Sequence, residues 1–97
     1  MTREEIAEYN EEAVMYEGLD AAIIGMAERN GLMVVAYDRE KAIQICAKHM
    51  EVSKDDLEPG ETIKGKKHEL GIEHFEFNIL GCWLGEHTPV FIFKYGT

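Results

Sequence analysis

Ninety-seven residues, 45% hydrophobic and 30% charged, make one ordinary globular domain and exclude a disordered or fibrous chain. A formal net charge of -9 sets the chain against phosphates, so direct nucleic-acid binding is not expected. No apolar run approaches the roughly 18 residues of a membrane span, so no membrane partner is expected either.

The charge is uneven. Residues 1–20 carry seven acids against Arg3, a net -6, and the remainder nets only -3. The acidic start Met1-Thr2-Arg3-Glu4-Glu5 is unlike a secretory signal. Thr2 with Glu5 three residues later forms a capping box. Ile6, Tyr9, Ala13 and Tyr16 then recur at helical spacing, which predicts a first helix over about 3–16, stopped at Gly18. Glu4, Glu8, Glu11 and Glu12 fall on its outer side.

Two apolar runs follow, residues 21–27 and 32–37, with Asn30-Gly31 between them. Asn-Gly tolerates positive φ at both central positions of a type I′ turn, which predicts a hairpin pairing Ala27 with Val34 and Gly25 with Ala36. A helix over 20–29 is the competing reading. Asp38 reads as an N-cap, and Ala42, Ile43, Ile45, Cys46 and Met50 give one face of a second helix over about 39–50. Residues 51–67 are polar, hold Ser53, Pro59, Gly60 and Gly65, and read as a long loop with room for one helical turn after Ser53.

A third helix is predicted over about 67–84. Ile72, Phe75, Ile79 and Trp83 form one stripe, and Phe77, Leu80 and Leu84 a second. A helix apolar on two sides belongs in the core. Gly81 inside it costs about 1 kcal/mol relative to alanine and is expected where another backbone comes close. Gly85 ends the helix and Pro89 opens a strand, with Val90, Ile92 and Lys94 facing one way and Phe91, Phe93 and Tyr95 the other. The predicted fold is α+β, a three-stranded antiparallel sheet with about three helices packed on one face.

The chemistry-bearing residues are sparse. Cys46 and His49 stand three apart, and His68, His74, Cys82 and His87 are further ligand types, which gives a small metal- or ligand-binding domain as the alternative function. No CxxC pair supports it, and His68 and His74 fall on different faces of a helix. Both cysteines lie in apolar segments and read as reduced and buried, as in a cytoplasmic protein. Neither a phosphate-binding loop, nor HExxH, nor GxSxG is present, so no enzyme and no cofactor are expected. Asn78, between Phe77 and Ile79 in the expected buried helix, must find hydrogen-bond partners or cost about 1–3 kcal/mol. It either fixes packing or lines a pocket. Glu86-His87-Thr88-Pro89 has the same two readings, a helix-to-strand turn or a pocket wall. The glutamates at 4, 8, 11 and 12 are either a solvated face or a site for a basic partner.

The residues Phe75-Glu76-Phe77-Asn78, Gly81, Gly85-Glu86 and Thr88-Pro89 resemble the closing block, FEFNxxGxxxGExTP, of a family of small uncharacterised proteins found in bacteriophages and prokaryotic genomes. Residues 22–25 and 35–38, with Glu40 and Lys41, extend the likeness more weakly. The polar segment 51–67 and the Cys82-Trp83 pair depart from it. The resemblance implies a phage-type protein in the cytoplasm of a prokaryotic host cell, with a host or viral protein as partner, and no activity. Tyr9, Tyr16, Phe91, Phe93 and Tyr95 add apolar surface for a homo-oligomer.

Overall fold

The computed structural model describes residues 1–94; the expected placement of Tyr95 lies outside the described residues. The elements are α1 (Arg3–Tyr9), β1 (Ile23–Arg29), β2 (Leu32–Asp38), α2 (Arg39–Lys48), α3 (Ile63–Phe75) and β3 (Val90–Ile92). Single 3₁₀ turns occupy Asp20–Ala22 and Lys54–Asp56. The chain divides into two compact units: Met1–Lys41 with the stretch from Trp83 onward, and Ala42–Cys82.

The first unit is built on the hairpin. Asn30 and Gly31 take φ of 53° and 83°, the positive pair a type I′ turn needs. Ala27 pairs with Val34 and Gly25 with Ala36, with an irregularity in register between Ile23 and Gly25. The sheet order is β1-β2-β3, so β2 is central. Its Val34-Val35-Ala36-Tyr37 stretch is buried at every position, as a strand covered on both faces requires.

The fold is α+β, but the sheet is mixed rather than all antiparallel. β3 runs parallel to β2, with Tyr37 opposite Phe91 and Asp38 opposite Ile92. Parallel neighbours need a long crossover, and residues 39–89, which include α2 and α3, supply it. Alternation of apolar residues reports which face is covered. It carries no information on strand direction.

Tyr37 is fully buried. Its ring lies 5.6 Å from that of Tyr16 and 5.5 Å from that of Phe91, and its hydroxyl accepts the Tyr16 N–H at 2.9 Å. Ile6, Leu19 and Ala22 are buried in the same unit.

The first helix is half the expected length. Its capping box forms, with Thr2 N–H on Glu5 at 2.9 Å and Glu5 N–H on Thr2 at 3.1 Å, but the helix ends at Tyr9. Asn10 turns extended, at φ -162°, because its side chain is taken elsewhere. Nδ2 donates to the Met33 carbonyl at 2.8 Å and Oδ1 accepts the Glu12 N–H at 3.0 Å. Tertiary bonding overrides a helical pattern that continues in the sequence.

In the second unit α2 buries Ala42, Ile43 and Cys46. The 51–67 segment is less irregular than expected. Ser53 and Asp56 close a capping box around one turn, and Thr62 caps α3 by accepting the Gly65 N–H at 3.0 Å, so α3 starts at Ile63. Gly71 is where the two helices meet: a Cβ there would stand 2.8 Å from the backbone of Ala47.

α3 stops at Phe75 and continues as one wider turn over Glu76–Leu80. The Gly81 N–H bonds the Glu76 carbonyl at 3.0 Å. The backbone crowding Gly81 is its own preceding turn, since a Cβ would lie 2.9 Å from that same oxygen.

The expected core stripe therefore breaks. Phe75 is fully buried and Ile79 half-buried, but Trp83 is 70% exposed and Phe77 81% exposed. Widening the turn and leaving the helical path at Gly81 ends the periodicity on which the stripe depends. Cys82, expected to be buried, is exposed for the same reason.

Two measurements test this packing. Gly71→Leu inserts a side chain against the Ala47 backbone and should lower urea-measured stability by about 1–3 kcal/mol or more; an unchanged midpoint would contradict the close crossing. Burial pushes the Tyr37 phenol above its ordinary value. The fold thus favours the neutral phenol: stability is complete below the unfolded-state pKa of about 10 and declines as pH rises through the higher folded value. Tyr37→Phe should cost about 0.5–1.5 kcal/mol at neutral pH through the lost hydroxyl bond and blunt that alkaline decline, as followed by circular dichroism.

Candidate functional site

The closing block Gly85-Glu86-His87-Thr88-Pro89 turns the chain into β3. Gly85 takes φ 91°, a conformation that favours glycine. Thr88, 7% exposed, holds the turn: Oγ1 accepts the Leu84 N–H at 2.8 Å and donates to the Gly85 carbonyl at 2.5 Å. Pro89 is buried immediately before the strand, where a missing N–H matters least. Gly85, Thr88 and Pro89 thus shape the turn, and the polar group available for chemistry is His87.

His87 is half-buried. Its Nδ1 lies 2.9 Å from Asn10 Nδ2, and its Nε2 lies 3.1 Å from Glu12 and 3.7 Å from Glu86. Asn10 Nδ2 can only donate, so Nδ1 accepts and the neutral ring carries its proton on Nε2, aimed at Glu12. The imidazole is the middle of a chain from the Met33 carbonyl through Asn10 to Glu12. This is a knot between the segment after α1 and the turn before β3. Both ring nitrogens are committed, which leaves none for a substrate.

Beside it, Arg29 at the end of β1 donates from Nη2 to the Glu86 carbonyl at 2.8 Å. Its guanidinium lies 5.0 Å from the centre of the Trp83 ring. These residues, with Asn30 and Leu32, line a shallow cleft of about 260 Å³. An exposed cation–π contact of this kind contributes roughly 0.5–1 kcal/mol.

The acidic residues do not form one face. Glu4 and Glu8 stand one turn apart on α1 and are exposed. Glu11 and Glu12 lie beyond the end of the helix, and Glu12 is engaged by His87. Asn78 is exposed rather than buried, and bonds His74 Nδ1 at 3.2 Å one turn earlier. It does not fix core packing, because the wide turn carries it outward.

Cys46 is buried, and burial pushes its thiol up, which disfavours the thiolate that metal binding or nucleophilic attack requires. His49 is exposed beside it. Among the described residues no three histidine, cysteine or acidic side chains are grouped to hold a metal. No helix among them is long and apolar enough to cross a membrane.

Exposed apolar residues were missed by reading the sequence. Phe77 and Leu80, 81% and 49% exposed, stand on the second unit; Trp83 and Leu84, 70% and 46% exposed, stand on the first. One signal pointed to them. A helix carrying two apolar stripes has more apolar surface than one neighbour can cover. The Asn10–His87 pair, by contrast, is separated by 77 positions and has no local signature.

Compared with models of protein families, with curated proteins and with solved structures, the chain matches none.

Asn10→Ala removes the donor to Met33 and His87 and leaves a part-buried carbonyl without that partner. It should lower stability by about 1–3 kcal/mol, whereas Glu11→Gln, at an exposed position just after α1, should stay within about 0.5 kcal/mol. Equal effects in urea denaturation would remove the knot from the account.

Proposed function

We propose that this is a non-enzymatic α+β protein that works by binding another protein, host or viral. Carrying this reading is the exposure of large apolar side chains in the very block that reads, by sequence, as core. Each unit presents its own pair, Phe77 with Leu80 and Trp83 with Leu84. Solvent exposure of Phe and Trp side chains forgoes about 1.5–3 kcal/mol each of burial energy. Such residues, rimmed by polar ones, mark surfaces covered in use, and tryptophan is among the residue types most enriched at the energetic centres of interfaces.

The surroundings fit. Glu73, Glu76 and Glu86 are exposed near these residues in sequence and keep the free chain soluble. A binding role also fits the turn at Gly85–Pro89, where the invested hydrogen bonds rigidify a surface rather than poise an acid or base. Resemblance of the block to small phage and prokaryotic proteins supports a partner from the host cell or the virus.

Phe77→Ser should leave folding stability within about 0.5 kcal/mol, as surface changes do, and Trp83→Ser should lower it by no more than about 1 kcal/mol, the worth of its contact with Arg29. Each should weaken capture of the partner identified by mass spectrometry from a bacterial host lysate by about tenfold or more. Trp83 is the one tryptophan, so its emission should shift to the blue when that partner binds. A partner captured equally well by both variants, with unshifted emission, would remove these residues from the interface.

A further inference from the structure

The second unit has a surface that the reading above does not use. α2 and α3 touch at Ala47 and Gly71, and toward the start of α3 they leave a groove of about 590 Å³. Ala47 and Ile63 give it an apolar floor. Lys48, Lys64, Lys67 and His68 stand around it.

Nothing in the described chain neutralises those lysines. Lys66 pairs with Glu61 and Glu69, but Lys48, Lys64 and Lys67 form no ion pair among the described residues. The first turn of α3 holds no acidic residue, so the positive end of that helix adds to the same field. In a chain of net charge -9, this is a cationic, apolar-floored trough.

Its complement is on the chain itself. Ile6 is buried, which fixes the roll of α1 and turns Glu4 and Glu8 outward on the opposite side. Neither carboxylate is in an ion pair among the described residues. Tyr9, at the end of the same short helix, is 57% exposed. A helix that carries two free carboxylates one turn apart and a projecting aromatic ring is matched in charge and polarity by a lysine-rimmed groove between two helices.

We propose that the α2–α3 groove receives α1 of a second copy of this chain. Glu4 and Glu8 meet the lysines, and Tyr9 covers the floor at Ile63. Two chains of the same net charge repel one another at long range. The groove is where that repulsion is locally reversed, so it sets which surfaces meet. This contact is separate from the Phe77 and Trp83 surfaces, and either can fail without the other.

The test uses the full chain in light scattering and sedimentation over a dilution series. Wild type should reach at least twice the monomer mass. Lys64→Glu/Lys67→Glu should be monomeric, and so should Glu4→Lys/Glu8→Lys. An equimolar mixture of the two variants should associate again, because the intact α1 of the first meets the intact groove of the second. Phe77→Ser should leave self-association unchanged.

Circular dichroism checks that each variant is folded, and Lys64→Gln/Lys67→Gln replaces the reversal if it is not. A monomeric wild type overturns the proposal. So does association that survives both pairs of changes, or a mixture that stays monomeric. Retardation of wild type by a short DNA duplex, lost in the lysine variant, would assign the groove to phosphates and overturn it equally.

Discussion

One buried side chain organises the first unit. The Tyr37 ring packs against those of Tyr16 and Phe91, which also stack on each other, and its hydroxyl accepts the Tyr16 N–H. Tyr37 belongs to the central strand, Phe91 to the strand beside it, and Tyr16 to the segment that arrives from α1. Three parts of the chain, far apart in sequence, are held by one aromatic cluster, each ring pair contributing roughly 0.5–1.5 kcal/mol beyond its burial. The parallel pairing of β2 with β3 places Phe91 directly opposite Tyr37. Strand direction and cluster are thus parts of one arrangement.

A second, polar constraint acts on the same unit. Asn10 ends α1 because its amide is committed to Met33 and His87, and His87 in turn points its remaining nitrogen at Glu12. His87, with Glu12 and Glu86 beside its Nε2, is engaged in holding the chain. The hydroxyl of Thr88 is engaged likewise. Polar groups in this block are spent on shape, and apolar groups are left on the outside. That inversion of the usual order is why binding, rather than catalysis, is the reading developed above.

Charge follows a similar division. Acids crowd the first twenty residues, and unpaired lysines collect where α2 and α3 diverge. Among the described residues Glu4 and Glu8 on one side and Lys48, Lys64 and Lys67 on the other form no ion pair, and each group presents a field to whatever approaches. A small protein with segregated charge and uncovered aromatic residues has surfaces specified well beyond what solubility requires.

The sequence by itself determined the local structure. It carried the Thr2–Glu5 capping box, the Asn30-Gly31 turn with its register, the helix after Asp38, and the α+β class; the central position of the strand at 32–38 came from the structure. Each of the local features depends on residues within a few positions of one another, where stereochemistry and short-range hydrogen bonds suffice. Only the tertiary structure decided where α1 stops, that β3 runs parallel, and that Asn78, Cys82 and Trp83 face outward. Asn10 answers to Met33 and His87, the direction of β3 to a crossover through residues 39–89, and the fate of Trp83 to a turn widened over Glu76–Leu80. Periodicity counts apolar residues along a helix; it cannot show which side has a neighbour to cover it.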